Sequence, residues 1–442
     1  MTPTRSRRHV LVVSNDEVGE SMAGPAIRAY EISRELAKHH DTCVRTPTRL
    51  LKISPDGYEE IGDGRLRPAV AASDVVIANT ISARLVTSAR SAGARIIVDA
   101  YDPVLFEALE ADQGMSDSCR AHRIAVQLWQ LRLAARVGDG FVCASDRQRD
   151  LLMGALAAMG RIGAAAYDDD PTLLSLIDIV PFGLPSHDPQ RTGPGMREMF
   201  GLSDDDFVLV WGGGIWDWFD PITLVRAIAV LAERRSDIKL VFLGVAHPRP
   251  DFPRHRRVDE TIEVSQELGI LNKSVFINPD WVPYEQRANY LLDADVGVSA
   301  NHIHLESRYA FRTRVLDYLW CGLPIICTSG DATADVVERE HLGRTVRANT
   351  VDDIVDAISA LADDRELRES VRANVQRVRE SYAWSEVAQP LVRMINQVCE
   401  KPVVEHPLVI RRLLFHARYA AMRVALASGG VREVARRIVR RR

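Results

Sequence analysis

Long apolar runs are missing from this 442-residue sequence, and no stretch approaches the roughly 20 residues that a membrane-spanning helix needs. The opening residues, Met1-Thr2-Pro3-Thr4-Arg5-Ser6-Arg7-Arg8, lead into a short strand pattern with no apolar segment of the signal-peptide kind. Cysteine is sparse: six residues, at 43, 119, 143, 321, 327 and 399, with no C-x-x-C pair among them. That scatter argues against a zinc ribbon or a disulfide framework and fits core-filling thiols in a reducing compartment. Neither the dinucleotide G-x-G-x-x-G fingerprint nor a Walker P-loop occurs, and no repeat of 20–50 residues is present. The expectation is a cytoplasmic protein.

Hydrophobic residues make up 46% of the chain and charged residues 26%, as in ordinary folded proteins. The net charge of −4 hides an asymmetry, because residues 401–442 carry eleven Lys/Arg against two acids. The other 400 residues therefore sum to −13. An acidic body argues against a nucleic-acid partner, and the basic tail suits an anionic surface. Within the tail, Ile410, Leu413, Leu414, Ala417, Ala421, Val424 and Ala425 share one helical face, with Arg411, Arg412, Arg418 and Arg423 opposite. Gly429-Gly430 interrupts this pattern before a shorter repeat of it. Two readings stay open: a peripheral anchor at the inner face of the plasma membrane through 408–442, or a helix docked on the body.

Short β-branched runs alternate with amphipathic stretches along most of the chain, the pattern of βαβ units and parallel sheets. Strands are expected at 9–14, 43–46, 75–79, 95–99 and 140–145, with a helix over 25–39. A Pro/Gly-rich stretch without periodicity (181–185, 188–195) marks a linker. The alternation then resumes with strands at 207–211, 239–243, 274–277, 295–299 and 324–327. Helices are expected over 351–363, 365–382 and 385–399. The fold class is α/β, with two facing Rossmann-like domains: 1–188, 189–384, a closing helix at 385–400 that packs back on the first, and the extension 401–442. Such sheets bind ligands beyond the carboxyl ends of their strands.

Two segments carry the chemistry. Trp211-Gly212-Gly213-Gly214-Ile215-Trp216-Asp217-Trp218-Phe219-Asp220-Pro221 follows a strand and enters a helix. Its three glycines let a ligand approach the backbone and offer N–H groups to phosphate oxygens, and the helix N-terminus adds a favourable dipole. A tight turn with packing tryptophans explains the same residues. The second segment runs from Ser299 to Pro324. There Arg308, Arg312 and Arg314 supply donors suited to a diphosphate, and Glu306 and Asp317 could accept from sugar hydroxyls. His302, His304 and Glu306 alternate, but no third strong metal-ligand group accompanies them. The acidic runs 168–170 and 204–206 look like loop solubilisers.

The run Asp317-Tyr318-Leu319-Trp320-Cys321-Gly322-Leu323-Pro324 resembles the E-A-M-A-C-G-x-P helix of family-four glycosyltransferases. Val180-Pro181-Phe182-Gly183-Leu184-Pro185 resembles V-P-N-G-V-D, and Phe242-Leu243-Gly244 the F-x-G strand end. By element order the likeness covers residues 10–399, and the GGIWDWFDP and RTRVLDYLWCGLP runs resemble an actinobacterial-type branch often found in surface-polysaccharide pathways. The resemblance implies a GT-B fold and transfer of a sugar from a nucleotide-sugar to a saccharide or lipid-linked hydroxyl. It also implies retention of configuration and no required metal or other cofactor. In the family's E-x7-E pair the second acid holds the ribose, and Asp317 matches it. Tyr309 stands at the first position, so Glu306 takes that role by proximity. The family's basic pair after the first strand of the second domain is absent from 212–220. Arg312 or Arg314 then serves the diphosphate, helped by Gly212, Gly213 and Gly214, with Trp216 and Arg308 on the donor side. Gly24 faces the donor from the first domain, and Asn15, Asp99, Tyr101 and Asp102 form the acceptor side. A nucleotide-sugar epimerase, a glycan phosphorylase and a non-catalytic nucleotide-sugar-binding scaffold are the rival readings.

Overall fold

The computed structural model describes residues 7–47, 52–54, 56–245 and 254–401. The amphipathic helices expected at 408–442 lie outside the described residues. The first sheet contains β1 (His9–Val13), β2 (Asp41–Arg45), β3 (Lys52–Ile53), β4 (Glu59–Ile61), β5 (Val75–Ala78), β6 (Arg95–Asp99), β7 (Gly140–Cys143) and β8 (Ile177–Ile179), in the order β3-β4-β2-β1-β5-β6-β7-β8. The second contains β9 (Phe207–Gly212), β10 (Ile238–Leu243), β11 (Val275–Asn278), β12 (Val296–Ser299), β13 (Ile325–Thr328) and β14 (Gly343–Val346), ordered β11-β10-β9-β12-β13-β14. Every pairing is parallel except β3 with β4.

The central strands are buried along their length, as in VVIA of β5, GFVC of β7 and VGVS of β12. Parallel strands covered by helices on both faces need such continuous apolar runs, which is why their positions were legible. The short β4, β8 and β14 were not. Runs such as EEI, IDI and GRTV mix charge with apolar residues and are too short for a period to stand out.

The stretch expected as a linker is pinned at several points. Leu184 N–H donates to the Tyr382 carbonyl (2.7 Å), and Trp384 N–H donates back to Leu184 (3.0 Å). Farther on, the N–H groups of Thr192 and Gly193 both donate to Asn289 Oδ1. The chain thus crosses out of the first lobe at 183–184 and returns beside that crossing at 382–384. The helix Gln389–Glu400 then lies on the first sheet, where Met394 and Val398 pack at Gly140 and Arg95 Nε donates to the Val398 carbonyl (2.8 Å).

One tyrosine fixes the floor of the second lobe. Tyr318, on the helix Thr313–Trp320, accepts a bond from Gly212 N–H (2.9 Å) and donates to the Val298 carbonyl (2.9 Å), bridging the ends of β9 and β12. Its ring lies flat on Gly297, where a Cβ would fall well inside van der Waals contact. Gly297→Ala is therefore expected to cost about 1–3 kcal/mol through overpacking and to lower the thermal midpoint. An unchanged midpoint by calorimetry would show that the ring moves aside freely.

Candidate active site

The carboxyl ends of both sheets face each other, and the lobes touch there through specific bonds. Trp281 Nε1 donates to the Met22 carbonyl (3.2 Å) and Tyr284 N–H to the Glu20 carbonyl (2.9 Å). The Tyr284 hydroxyl reaches Glu31 Oε1 (2.9 Å) on the first-lobe helix Gly24–Ala37. Beneath these contacts is a central cavity of about 140 Å3. Gly24 lines it from the first lobe; Gly212, Gly213, Gly214, Trp216, Arg314 and Asp317 line it from the second. Seven of the residues singled out by sequence therefore meet in one place. The helix entering from Gly24 has Pro25 in its first turn and no side-chain cap, so its positive end borders the cavity uncompensated.

The glycine turn works differently from the expectation. Gly213 has φ of +78°, a conformation that favours glycine. Gly212 lines the cavity but has no N–H to offer a ligand, because that N–H is spent on Tyr318. The helix Pro221–Ala232 after the turn offers no free positive end either. Buried Asp220 caps it, accepting from Thr223 N–H (3.1 Å), and so already supplies negative charge there.

The cation missing from 212–220 arrives from the helix Thr313–Trp320. Arg314 Nη2 donates to the Gly214 carbonyl (2.9 Å), and its guanidinium lies 4.2 Å from the Trp211 ring centre and 4.6 Å from that of Phe219. No carboxylate pairs with it among the described residues, and its buried Nη1 has no hydrogen-bond partner. Burial, reinforced by the Arg312 charge, lowers its pKa to about 10, so it stays cationic at neutral pH.

Sequence reasoning missed Arg287. It stacks 3.7 Å from the Tyr284 ring centre and 4.4 Å from that of Trp320, and its Nε donates to Asp317 Oδ1 (2.9 Å). Its Nη2 is buried without a partner, and the residue lines the same cavity. The only local signal was an aromatic residue three positions earlier, Tyr284, at the spacing of helical neighbours.

Other expected site residues are engaged elsewhere. Arg312 and Glu306 form a buried, bidentate ion pair (2.9 and 2.8 Å), with Asp331 3.6 Å from Arg312 Nε. Arg312 is thus neutralised by carboxylates and is not the free diphosphate ligand, nor is Glu306 a free sugar acceptor. Arg308 is exposed and lines a separate cavity with His302 and His304, outside the central one. Asp99 is held by Arg28 through two 2.7 Å bonds, and Arg28 also bonds the Val180 carbonyl (2.9 Å). Tyr101 is buried against Phe182 and the Arg28 guanidinium. All four acceptor-side residues, Asn15, Asp99, Tyr101 and Asp102, line one first-lobe cavity of about 120 Å3 beyond β1, β5 and β6, with Asp99 and Tyr101 held in its wall by Arg28. Among the described residues no group of three His, Cys, Asp or Glu side chains is gathered to hold a metal, and His302 turns to Asn349 Oδ1 (2.8 Å).

The comparisons with known proteins agree with this geometry. Residues 200–378, fewer than half of the chain, match the family described as Glycosyl transferases group 1. The structure is similar to sucrose-phosphate synthase from Thermosynechococcus elongatus (TM-score 0.61, 16% identity, covering 89% of this chain and 99% of that one). It is equally similar to Anabaena Alr3699/HepE in complex with UDP and glucose (TM-score 0.61, 15% identity, 89% and 99%). The fold is GT-B. In sequence, the chain is 25% identical over 263 residues to a D-inositol 3-phosphate glycosyltransferase of Actinosynnema mirum, covering 59% of this chain and 57% of the relative. The chain spans about half the length of the curated relatives it matches.

Two predictions follow from this GT-B cleft. Arg312→Ala leaves Glu306 buried and unpaired, so it should cost about 3–5 kcal/mol of stability; a wild-type denaturation midpoint would contradict the pairing. Burial, together with the Asp99 and Glu306 charges, raises the Asp102 pKa to about 7 despite the Tyr101 hydrogen bond. The folded state then holds a proton that the unfolded chain releases near pH 4. Stability on this account is greatest below pH 4 and falls as pH rises to about 7. Asp102→Asn should flatten that slope and exceed wild type in stability at pH 8; an unchanged slope would refute the assignment.

Proposed function

We propose that this chain is a glycosyltransferase that takes a hexose from a nucleoside-diphosphate donor bound in the central cleft. The observation that carries the proposal is that two arginines lining one cavity, Arg314 and Arg287, each keep a buried guanidinium N–H, Nη1 and Nη2 respectively, without a partner. An unpaired buried donor costs about 1–3 kcal/mol, and phosphate oxygens would remove that cost with charge-assisted bonds. The glycosyltransferase family matching 200–378 and the UDP and glucose held by HepE support this chemistry.

In this reading Arg314 and the Gly213–Gly214 turn hold the leaving diphosphate, so that positive charge is preorganised where negative charge develops. Asp317, oriented by Arg287, takes the ribose hydroxyls. The acceptor hydroxyl enters from the side of Asp102 and attacks the face that the diphosphate leaves, with retention and without a metal. The lobe-to-lobe bonds at Trp281 and Tyr284 keep water from the donor. The acceptor is a saccharide or a lipid-linked saccharide of cell-envelope glycoconjugate synthesis, and the basic tail at 408–442 holds the protein on an anionic membrane surface.

One observation favours a second reading, a non-catalytic nucleotide-sugar-binding scaffold. Glu306 and Arg312 neutralise each other where transfer would use free charges. Thermal shift against UDP-, GDP- and dTDP-sugars, with and without EDTA, separates the cases. Stabilisation by one donor, insensitive to EDTA and followed by release of the nucleotide with an acceptor, supports the enzyme; binding without turnover supports the scaffold. Arg314→Ala should weaken nucleotide binding at least about tenfold, or 1.4 kcal/mol, with the fold retained. Undiminished affinity by calorimetry would sink the diphosphate assignment.

A further inference from the structure

Beyond the carboxyl ends of β12 and β13 lies a cavity of about 600 Å3, lined by second-lobe residues and, from the first lobe, by Arg147. It shares no lining residue with the central cleft or with the first-lobe cavity. Its size is within the range of about 300–1,000 Å3 typical of small-molecule sites. Glu306, between the lining residues Leu305 and Ser307, turns inward to Arg312 and leaves the cavity without its charge.

Asn301 is the most telling lining residue. It is 3% exposed, and neither its amide nitrogen nor its amide oxygen has a partner. Its backbone is fixed by the bond from its N–H to Thr328 Oγ1 (3.0 Å). A buried amide open at both ends calls for groups that donate and accept together, and hydroxyls do both.

The charges add a second requirement. Arg308 is exposed on the cavity and makes no ion pair among the described residues. Arg147 is paired with Asp335 (2.6 Å) and bonds the Gly330 carbonyl, so Arg308 is the lining cation that has no carboxylate partner among the described residues. The one lining carboxylate, Asp331, is buried and engaged by protein: its Oδ1 accepts from Ala334 N–H (2.7 Å) and Thr333 Oγ1 (2.6 Å), and its Oδ2 lies 3.6 Å from Arg312 Nε. His304 uses both ring nitrogens on protein atoms, the Ser307 N–H and the Trp218 carbonyl. An anionic group is the complement. Finally, Ile303 and Leu305 stand 74% and 54% exposed along this lining, aliphatic area that the C–H face of a sugar ring would cover.

We propose that this cavity is a second ligand site, distinct from the diphosphate cleft, for a polyhydroxylated ring carrying a phosphoryl or carboxylate group. Arg308 takes the anionic group, with Arg147 beside it, and Asn301 takes the ring hydroxyls. The site stands whether or not the donor reading holds.

Calorimetry on the full chain with glucose 6-phosphate, glucuronate, glucose and inorganic phosphate tests it, with UDP titrated in parallel. Glucose 6-phosphate and glucuronate should each bind at least tenfold tighter than glucose or inorganic phosphate. Arg308→Ala should weaken that binding about tenfold and leave UDP affinity and the melting temperature unchanged. Asn301→Ala should weaken sugar-phosphate binding while sparing the weak binding of phosphate; if that buried variant misfolds, Arg308→Ala decides alone. The proposal is overturned if neither anionic sugar binds at millimolar concentration, if glucose or free phosphate binds as tightly, or if Arg308→Ala binds as the wild type does. Loss of UDP binding in wild type would instead count against the donor reading.

Discussion

The Glu306–Arg312 ion pair governs the rest of the active face. Two opposite charges taken from water repay their desolvation only when they meet with full hydrogen bonding, and this pair does so with two bonds and both side chains buried. By locking together they close the chain between the short helix Leu305–Tyr309 and the helix Thr313–Trp320. That closure turns Arg308 outward to one cavity and sets Arg314 beneath the glycine turn of another. The stretch with three arginines therefore serves three ends: one structural, one facing an outer cavity and one facing the central cleft.

Cationic chemistry in the cleft has been relocated more than removed. The glycine turn carries no basic residue, yet the space above it is bordered by Arg314 and Arg287, contributed by separate elements of the second lobe. Both guanidiniums are clamped by aromatic faces, Trp211 and Phe219 for one and Tyr284 and Trp320 for the other. Such clamps fix a planar cation before any ligand arrives, so little rotamer entropy remains to be lost on binding.

How much of this was legible in the sequence follows physical lines. Continuous apolar strands and their alternation with helices announce the two parallel sheets, and the glycine turn and Asp317 fall where local pattern placed them. The pairing of Arg312 with Glu306 was hidden because six residues apart reads as unrelated positions on a continuous helix. Only the break at Ala310 brings them face to face. Arg28 and Asp99 are 71 residues apart, so Asp99 looked free until the fold delivered its partner. Arg287 carried no motif at all, and its role depends on Asp317 arriving from another helix. Local periodicity predicts where backbone goes; which charges cancel is a long-range property.

The paired crossings at Leu184 and Tyr382–Trp384 have a mechanical consequence. Both covalent connections between the lobes run side by side and are bonded to each other, so they behave as one axle instead of two tethers. Sliding of one sheet past the other would tear those bonds, whereas rotation about them strains only a few backbone angles. Displacement then grows with distance from the axle, so the rim of the cleft travels farthest while the crossing stays almost still. Gly183, seated against the Trp384 ring with no room for a side chain, keeps that axle narrow.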